Sequence, residues 1–204
     1  MNENRRVDAE ATREALLDAA EAVFYERGVA RASLEAIARR AGLTRGALYW
    51  HFDGKADLFR QLLERVRMPY EELVREIPAD QRTTSRLDEI RLACLQALER
   101  LGQPRYRRIH SILLHRCEFF DDINPTGLMA QMSRQGIEST KERFEQAADN
   151  GELRSGLDPE TANLMLHNLL RGIFHGWHLD PGAFALRETG RKLINEWFVL
   201  VRAD

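Results

Sequence analysis

The chain has 204 residues, 44% hydrophobic and 30% charged, with a net charge of −2, which is ordinary for a globular protein able to bury a core. No apolar run approaches the roughly 20 residues needed to cross a bilayer, and the N-terminus lacks the apolar core and cleavage site of a signal peptide, so a cytoplasmic protein is expected. Cys94 and Cys117 are far apart, have no CxxC spacing, and read as reduced thiols.

Strand signals are nearly absent and helical periodicity runs almost throughout, so the fold class is all-α. The first helix is predicted from about Thr12 to Arg27, with Leu16, Ala19, Ala20, Val23 and Phe24 as its apolar stripe and Gly28 as its stop. Ser33 caps a second helix that turns Leu34, Ile37, Ala38 and Ala41 inward and ends at Gly42. Thr44 caps a short third helix, Arg45–Tyr49. Asp53-Gly54-Lys55 is a turn, and a longer helix follows from Lys55 toward Arg67, to be broken by Pro69. Longer helices are expected near 85–101, 104–118, 124–149, 158–179 and 184–202, with Pro104, Asn124, Asp158-Pro159 and Pro181-Gly182 at the joints. The expected division is a three-helix domain over 1–54 and a larger helical bundle over 55–204.

Helix, glycine-containing turn and short second helix are the helix-turn-helix arrangement, here Ser33–Ala41, Gly42-Leu43-Thr44 and Arg45–Tyr49. In that geometry the start of the second helix meets base edges in the major groove. Thr44 and Arg45 supply a hydroxyl and a guanidinium fork. Gly46 and Ala47 are small enough for close backbone approach. Leu48 and Phe52, four apart, anchor the helix inward, leaving Tyr49, His51 and Lys55 to donate to phosphate oxygens. The segment 31–55 carries a net +3, a modest basic patch. Tyr49, Trp50 and Phe52 also suit the core of a small helical unit; for Phe52 that reading is preferred.

The run "TREALLDAAEAVFYERGVARASLEAIARRAGLTRGALYWHFDGKADLF", about 12–59, resembles the DNA-binding domain of the TetR family of one-component transcriptional repressors. The likeness rests on Gly28, Ser33, Ile37, Ala38, Ala41, Gly42, Gly46, Tyr49, His51, Phe52 and Lys55. The second-domain run "RRIHSILLHRCEFFDD", 107–122, is similar to that of the multidrug-efflux repressors related to AcrR and TtgR. The resemblance implies that Ser33 contacts phosphate, that Thr44, Arg45, Gly46 and Ala47 face the bases, and that Tyr49, His51 and Lys55 grip the backbone. It leaves the role of Trp50 open. It further implies a homodimer that binds a palindromic double-stranded operator and releases it when a small hydrophobic or aromatic inducer enters the C-terminal bundle, with efflux genes as target. A regulator of a metabolic or stress operon, or a small-molecule-binding protein without an operator, are the alternatives.

In the larger domain, His110, Leu113, Leu114 and Cys117 share one helix face by spacing, and His167, Leu170, Phe174 and His178 share another. The efflux repressors line their ligand cavity with these helices, so His110, Leu113, Leu114, Cys117, His167, Leu170 and Phe174 are the candidate ligand residues, with the two histidines as hydrogen-bonding anchors. A histidine on an apolar face is otherwise a satisfied core residue. Gly172 and Gly176, four apart, leave a smooth strip for another helix, and the last helix carries more apolar surface than one neighbour needs. Gly172, Gly176, Trp197 and Phe198 are therefore the candidate dimer interface, against completion of an internal core. His175 and His178 could share a metal with Cys117 or His115, but no HExxH or CxxC accompanies them, and no metal or other cofactor is expected. With no phosphate loop, no nucleophile elbow and no supported carboxylate pair, no enzymatic activity is expected.

Overall fold

Four polar side chains start four of the helices. Ser33, Thr44, Ser85 and Asp158 each accept a hydrogen bond from the backbone N–H three residues on, at 3.2, 3.1, 3.1 and 2.9 Å, satisfying donors the helix itself leaves open. In the computed structural model, which describes residues 2–203 and side chains from Asp8 onward, the helices are α1 (Asn2–Arg27), α2 (Leu34–Arg40), α3 (Arg45–His51), α4 (Lys55–Glu64), α5 (Tyr70–Arg75), α6 (Arg86–Leu101), α7 (Pro104–His115), α8 (Pro125–Asp149), α9 (Pro159–Leu179) and α10 (Leu186–Val201). Among the described residues no β-strand forms; Phe120–Ile123 and Leu153–Arg202 are isolated bridges.

Three boundaries differ from the sequence expectation, the first being that α1, expected from about Thr12, begins at Asn2. The helix expected to run from Lys55 toward Arg67 ends at Glu64, and Arg65, Val66 and Arg67 unwind through i to i−3 hydrogen bonds of 3.1–3.3 Å. Pro69 disfavours helical backbone at Met68, so the chain restarts as the short α5, followed by a 3₁₀ turn at Ala79–Gln81. Neither element is foreshadowed by hydrophobic period, because each is too short to display one. The helix expected over 104–118 closes at His115, and 116–124 forms a loop with Asp121 at φ +47°.

The chain forms two compact units: residues to Arg67 with Pro104–Leu128, and Met68–Gln103 with Met129 onward. In the first unit α1 packs on α2, α4 and α7, and Leu16, Leu17, Phe24, Ile37, Leu48, Phe52, Phe59, Ile109 and Ile112 are buried. Phe24 meets Phe59 edge-on at 5.8 Å, and Phe59 meets Phe120 at 6.1 Å. Polar contacts reinforce the packing of α7 on α1: buried Glu21 pairs with Arg108 (3.3 Å) and Arg105 (3.8 Å), although burial raises its carboxyl above the usual range.

The core of the second unit joins α5, α6, α8, α9 and α10 through Leu73, Ile90, Leu98, Phe144, Leu166, Ile173, Ile194 and Phe198. The hydroxyl of Tyr70 donates to Glu89 at 2.9 Å, fixing α5 on α6. Glu152 accepts from Ser85 Oγ and the N–H groups of Arg86 and Leu87, closing the start of α6; these donors hold its carboxyl below the usual value despite the opposing effect of burial.

Candidate functional site

The turn between α2 and α3 is built on Gly42. At φ +71° it lets the Leu43 N–H reach back to the Ala38 carbonyl (2.9 Å), which closes α2 and sets the direction of α3. Leu48 and Phe52 are buried and fasten α3 to its unit. The opposite face presents Thr44, Arg45, Gly46, Tyr49 and Trp50 to solvent, with Ala47 half-buried. The Thr44 hydroxyl oxygen caps the Ala47 N–H, so this residue shapes the helix start as well as lying on the exposed face. The Arg45 guanidinium lies 5.3 Å from the Tyr49 ring centroid and donates to its hydroxyl at 3.0 Å. Ser33, exposed, occupies the same capping position on α2.

Two backbone-contact candidates have protein partners of their own. Lys55 donates to the carbonyls of Ala30 (2.8 Å) and Ala32 (3.3 Å) and lies 5.0 Å from the Phe120 ring, so it ties the loop between α1 and α2 to α4. His51 is half-buried against Trp50, with ring centroids 4.5 Å apart. Desolvation, helped by the charge of Arg13, holds its pKa below the usual imidazole value. Of the basic residues counted in 31–55, Arg40 pairs with Glu26 at 2.7 Å, whereas Arg31, Arg39 and Arg45 have no carboxylate in ion-pair range among the described residues. Local spacing assigns Trp50 no role, yet it is 73% exposed on this face.

The ligand candidates fall in both units. In the first, His110 is buried on α7 and its Nδ1–H donates to the Tyr106 carbonyl at 2.8 Å; Leu113 is buried, Leu114 and Cys117 half-buried. Burial pushes the Cys117 thiol up to about 11. In the second, His167 on α9 meets Thr140 of α8, Nε2 to Oγ1, at 2.9 Å. The Thr140 hydroxyl donates to Asn163 Oδ1 (2.8 Å), and Asn163 donates to the Ile137 carbonyl (2.8 Å). The imidazole is therefore read as the neutral Nε2–H form, donating to Thr140. Desolvation first, and Arg171 second, lower its pKa to about 4. Gly136 makes room for the ring, since a Cβ there would lie 3.1 Å from His167 Cε1. Leu170 packs on the core, and the Phe174 ring lies 4.2 Å from that of His178. A cleft of about 290 Å³ in this unit is lined by Val74, Arg75, Ile77, Arg82, Thr83 and Glu89, none of them a ligand candidate.

The dimer candidates divide. Gly172 is exposed, with open space for 4 Å around the point where a Cβ would stand, and Gly176 is half-covered by Phe184. Trp197 and Phe198 are buried in the chain's own core, where Trp197 meets Phe144 at 6.4 Å. The exposed apolar residues of these helices are Leu164, Met165 and Leu179 on α9 and Leu193, Val199 and Leu200 on α10. Among the described residues no three His, Cys, Asp or Glu side chains gather as a metal site, and no helix is long and apolar enough to cross a membrane.

This architecture, an exposed polar second helix of a helix-turn-helix followed by a helical bundle, is that of a DNA-binding regulator. Residues 16–62 match the family of bacterial regulatory proteins named for TetR, and residues 85–202 match the C-terminal region of MAATS-type transcriptional repressors. The HTH-type transcriptional regulator TtgR of Pseudomonas putida is 33% identical over 206 residues, covering 96% of this chain and 93% of its own. Among solved structures, NalD, the secondary repressor of the MexAB-OprM multidrug efflux pump in Pseudomonas aeruginosa, is 36% identical with a TM-score of 0.79, covering 95% of this chain and 97% of its own. SmeT, the repressor of the Stenotrophomonas maltophilia multidrug efflux pump SmeDEF, is 33% identical with a TM-score of 0.79 over 97% and 93%; a SmeT–triclosan complex is 32% identical, also at 0.79, over 95% and 93%. The chain belongs to the TetR family of transcriptional regulators.

Proposed function

We propose that the chain is a cytoplasmic, non-enzymatic repressor of a multidrug efflux operon, which binds a palindromic operator as a homodimer and leaves it when a small hydrophobic molecule binds. DNA reading belongs to residues 1–54, and effector sensing and dimerisation to 55–204. The observation that carries this reading is the face of α3: Arg45, Gly46 and Tyr49 stand in solvent while Leu48 and Phe52 hold the helix from behind. Two such helices about one DNA turn apart, ~34 Å, can read adjacent major grooves. Ser33, Thr44, Ala47, His51 and Lys55 frame that surface. His110, Leu113, Leu114, Cys117, His167, Leu170 and Phe174 are the effector-sensing residues in this reading. Support for efflux control comes from the NalD and SmeT relatives, and triclosan is the natural first effector to try.

The test is fluorescence anisotropy on labelled duplex from the DNA flanking the gene, at two salt concentrations with competitor DNA. Nanomolar binding that weakens with salt, resists competitor and is reversed by triclosan or another hydrophobic drug is expected. Binding that competitor abolishes on every flanking duplex would defeat the operator reading.

A further inference from the structure

The acids around the end of α1 already have partners. Glu21 takes Arg105 and Arg108, and Glu26 takes Arg40. Arg13, Arg60 and Arg65 of the same unit are also ion-paired. Three arginines left outside these pairs come together. Arg27, Arg31 and Arg116, with His115, line a cleft of about 160 Å³ in which Glu118 is the sole acid. Among the described residues no carboxylate lies within ion-pair range of any of the three. Like charges gathered in a concavity repel one another and raise the local potential for anions.

The base of the cleft is fixed. The Val29 N–H donates to the Arg116 carbonyl at 2.9 Å, and Gly28, at φ +78°, permits that close approach. The Arg116 guanidinium lies 4.8 Å from the Tyr25 ring centroid, which restricts its orientation. Guanidinium forks suit tetrahedral oxyanions, and the volume is below the ~300–1,000 Å³ of a drug-sized pocket. We infer that this cleft binds a phosphate group through Arg27, Arg31 and Arg116, supplied either by the DNA backbone flanking the operator or by a small free phosphate compound. The first source rests on the operator reading above; the second does not.

The experiment has two arms on the full-length protein. In the first, inorganic phosphate is titrated while the arginine Nε–H resonances are followed by NMR. Saturable shifts confined to Arg27, Arg31 and Arg116, with a midpoint on the order of 1 mM or tighter, and lost in the double variant Arg31→Gln/Arg116→Gln, establish the site for free phosphate. In the second, operator affinity is measured against salt for the wild type and the double variant. A slope shallower by about 0.9 per lost contact establishes the backbone source. Exposed Arg134 on α8 is the control in the first arm. Shifts there equal to those in the cleft, or no saturation together with an unchanged slope, overturn the proposal. If no duplex binds, the phosphate titration alone decides.

Discussion

At Gly28 two requirements coincide: a left-handed backbone at φ +78°, and the Arg116 carbonyl 3.3 Å from where a Cβ would stand. Gly28→Ala is expected to lower stability by about 1–2 kcal/mol, from the backbone conformation alone, read as a lower urea midpoint at unchanged m-value. Arg45 answers to a different measurement. It is exposed and its contact is with Tyr49 on its own helix, so Arg45→Ala should leave the unfolding free energy from urea titration within about 0.5 kcal/mol of wild type. Operator affinity in that variant should fall by about 1–3 kcal/mol, roughly 5–150-fold, by anisotropy; an unchanged affinity would remove Arg45 from the DNA-reading face. Much of this is legible in the sequence. The caps Ser33 and Thr44 and the anchors Leu48 and Phe52 follow from local chemistry and helical spacing. The destination of the Lys55 ammonium does not, because its carbonyl partners belong to residues 23 and 25 positions earlier.

Elements show where periodicity stops being informative. Long helices from α6 onward are recognisable because each repeats its apolar face several times, whereas α5 has six residues and leaves no such pattern. The apolar content of α10 is visible, but its distribution is not: the core takes Trp197 and Phe198, and solvent meets Val199 and Leu200. The pairing of α8 with α9 also escapes the sequence, since Gly136 and Thr140 acquire meaning only against His167. That pairing gives a pH dependence with a definite sign. His167 has a pKa of about 4 in the fold, against ~6.5 when unfolded. Above pH ~6.5 both states are neutral and the residue adds no slope. As pH falls from ~6.5 to ~4 the unfolded chain gains the proton first, so stability drops, by about 3 kcal/mol at the low end. In urea titrations across this range His167→Asn should show a shallower loss than wild type; parallel curves would remove His167 as the source.

For the whole molecule, the exposed apolar residues of α9 and α10 are where we expect a second copy to dock. Val199 and Leu200 are 71% and 68% exposed, with Leu193 on the same helix and Leu164, Met165 and Leu179 on α9. Two copies could bury these faces together, as two-fold reading of a palindrome requires. The double variant Val199→Glu/Leu200→Glu should shift light-scattering mass from dimer toward monomer while retaining helical circular dichroism, and operator affinity should fall with it. A dimer that survives both charges would place the interface elsewhere.

The first compact unit also bears on how the chain can be cut and made. Its residues up to Arg67 pack with Pro104–Leu128, so the DNA-reading end is not contiguous in sequence. Buried Ile109, Ile112 and Ile123 come from that later stretch. During synthesis the unit cannot complete its core until residue 128 has left the ribosome, by which time the stretch 68–103 is already outside. A chimera that transplants residues 1–67 alone onto another effector bundle would leave behind part of its own core, and one that brings Pro104–Leu128 along would also bring His110, Leu113, Leu114 and Cys117, so packing and effector sensing cannot be exchanged separately across this stretch.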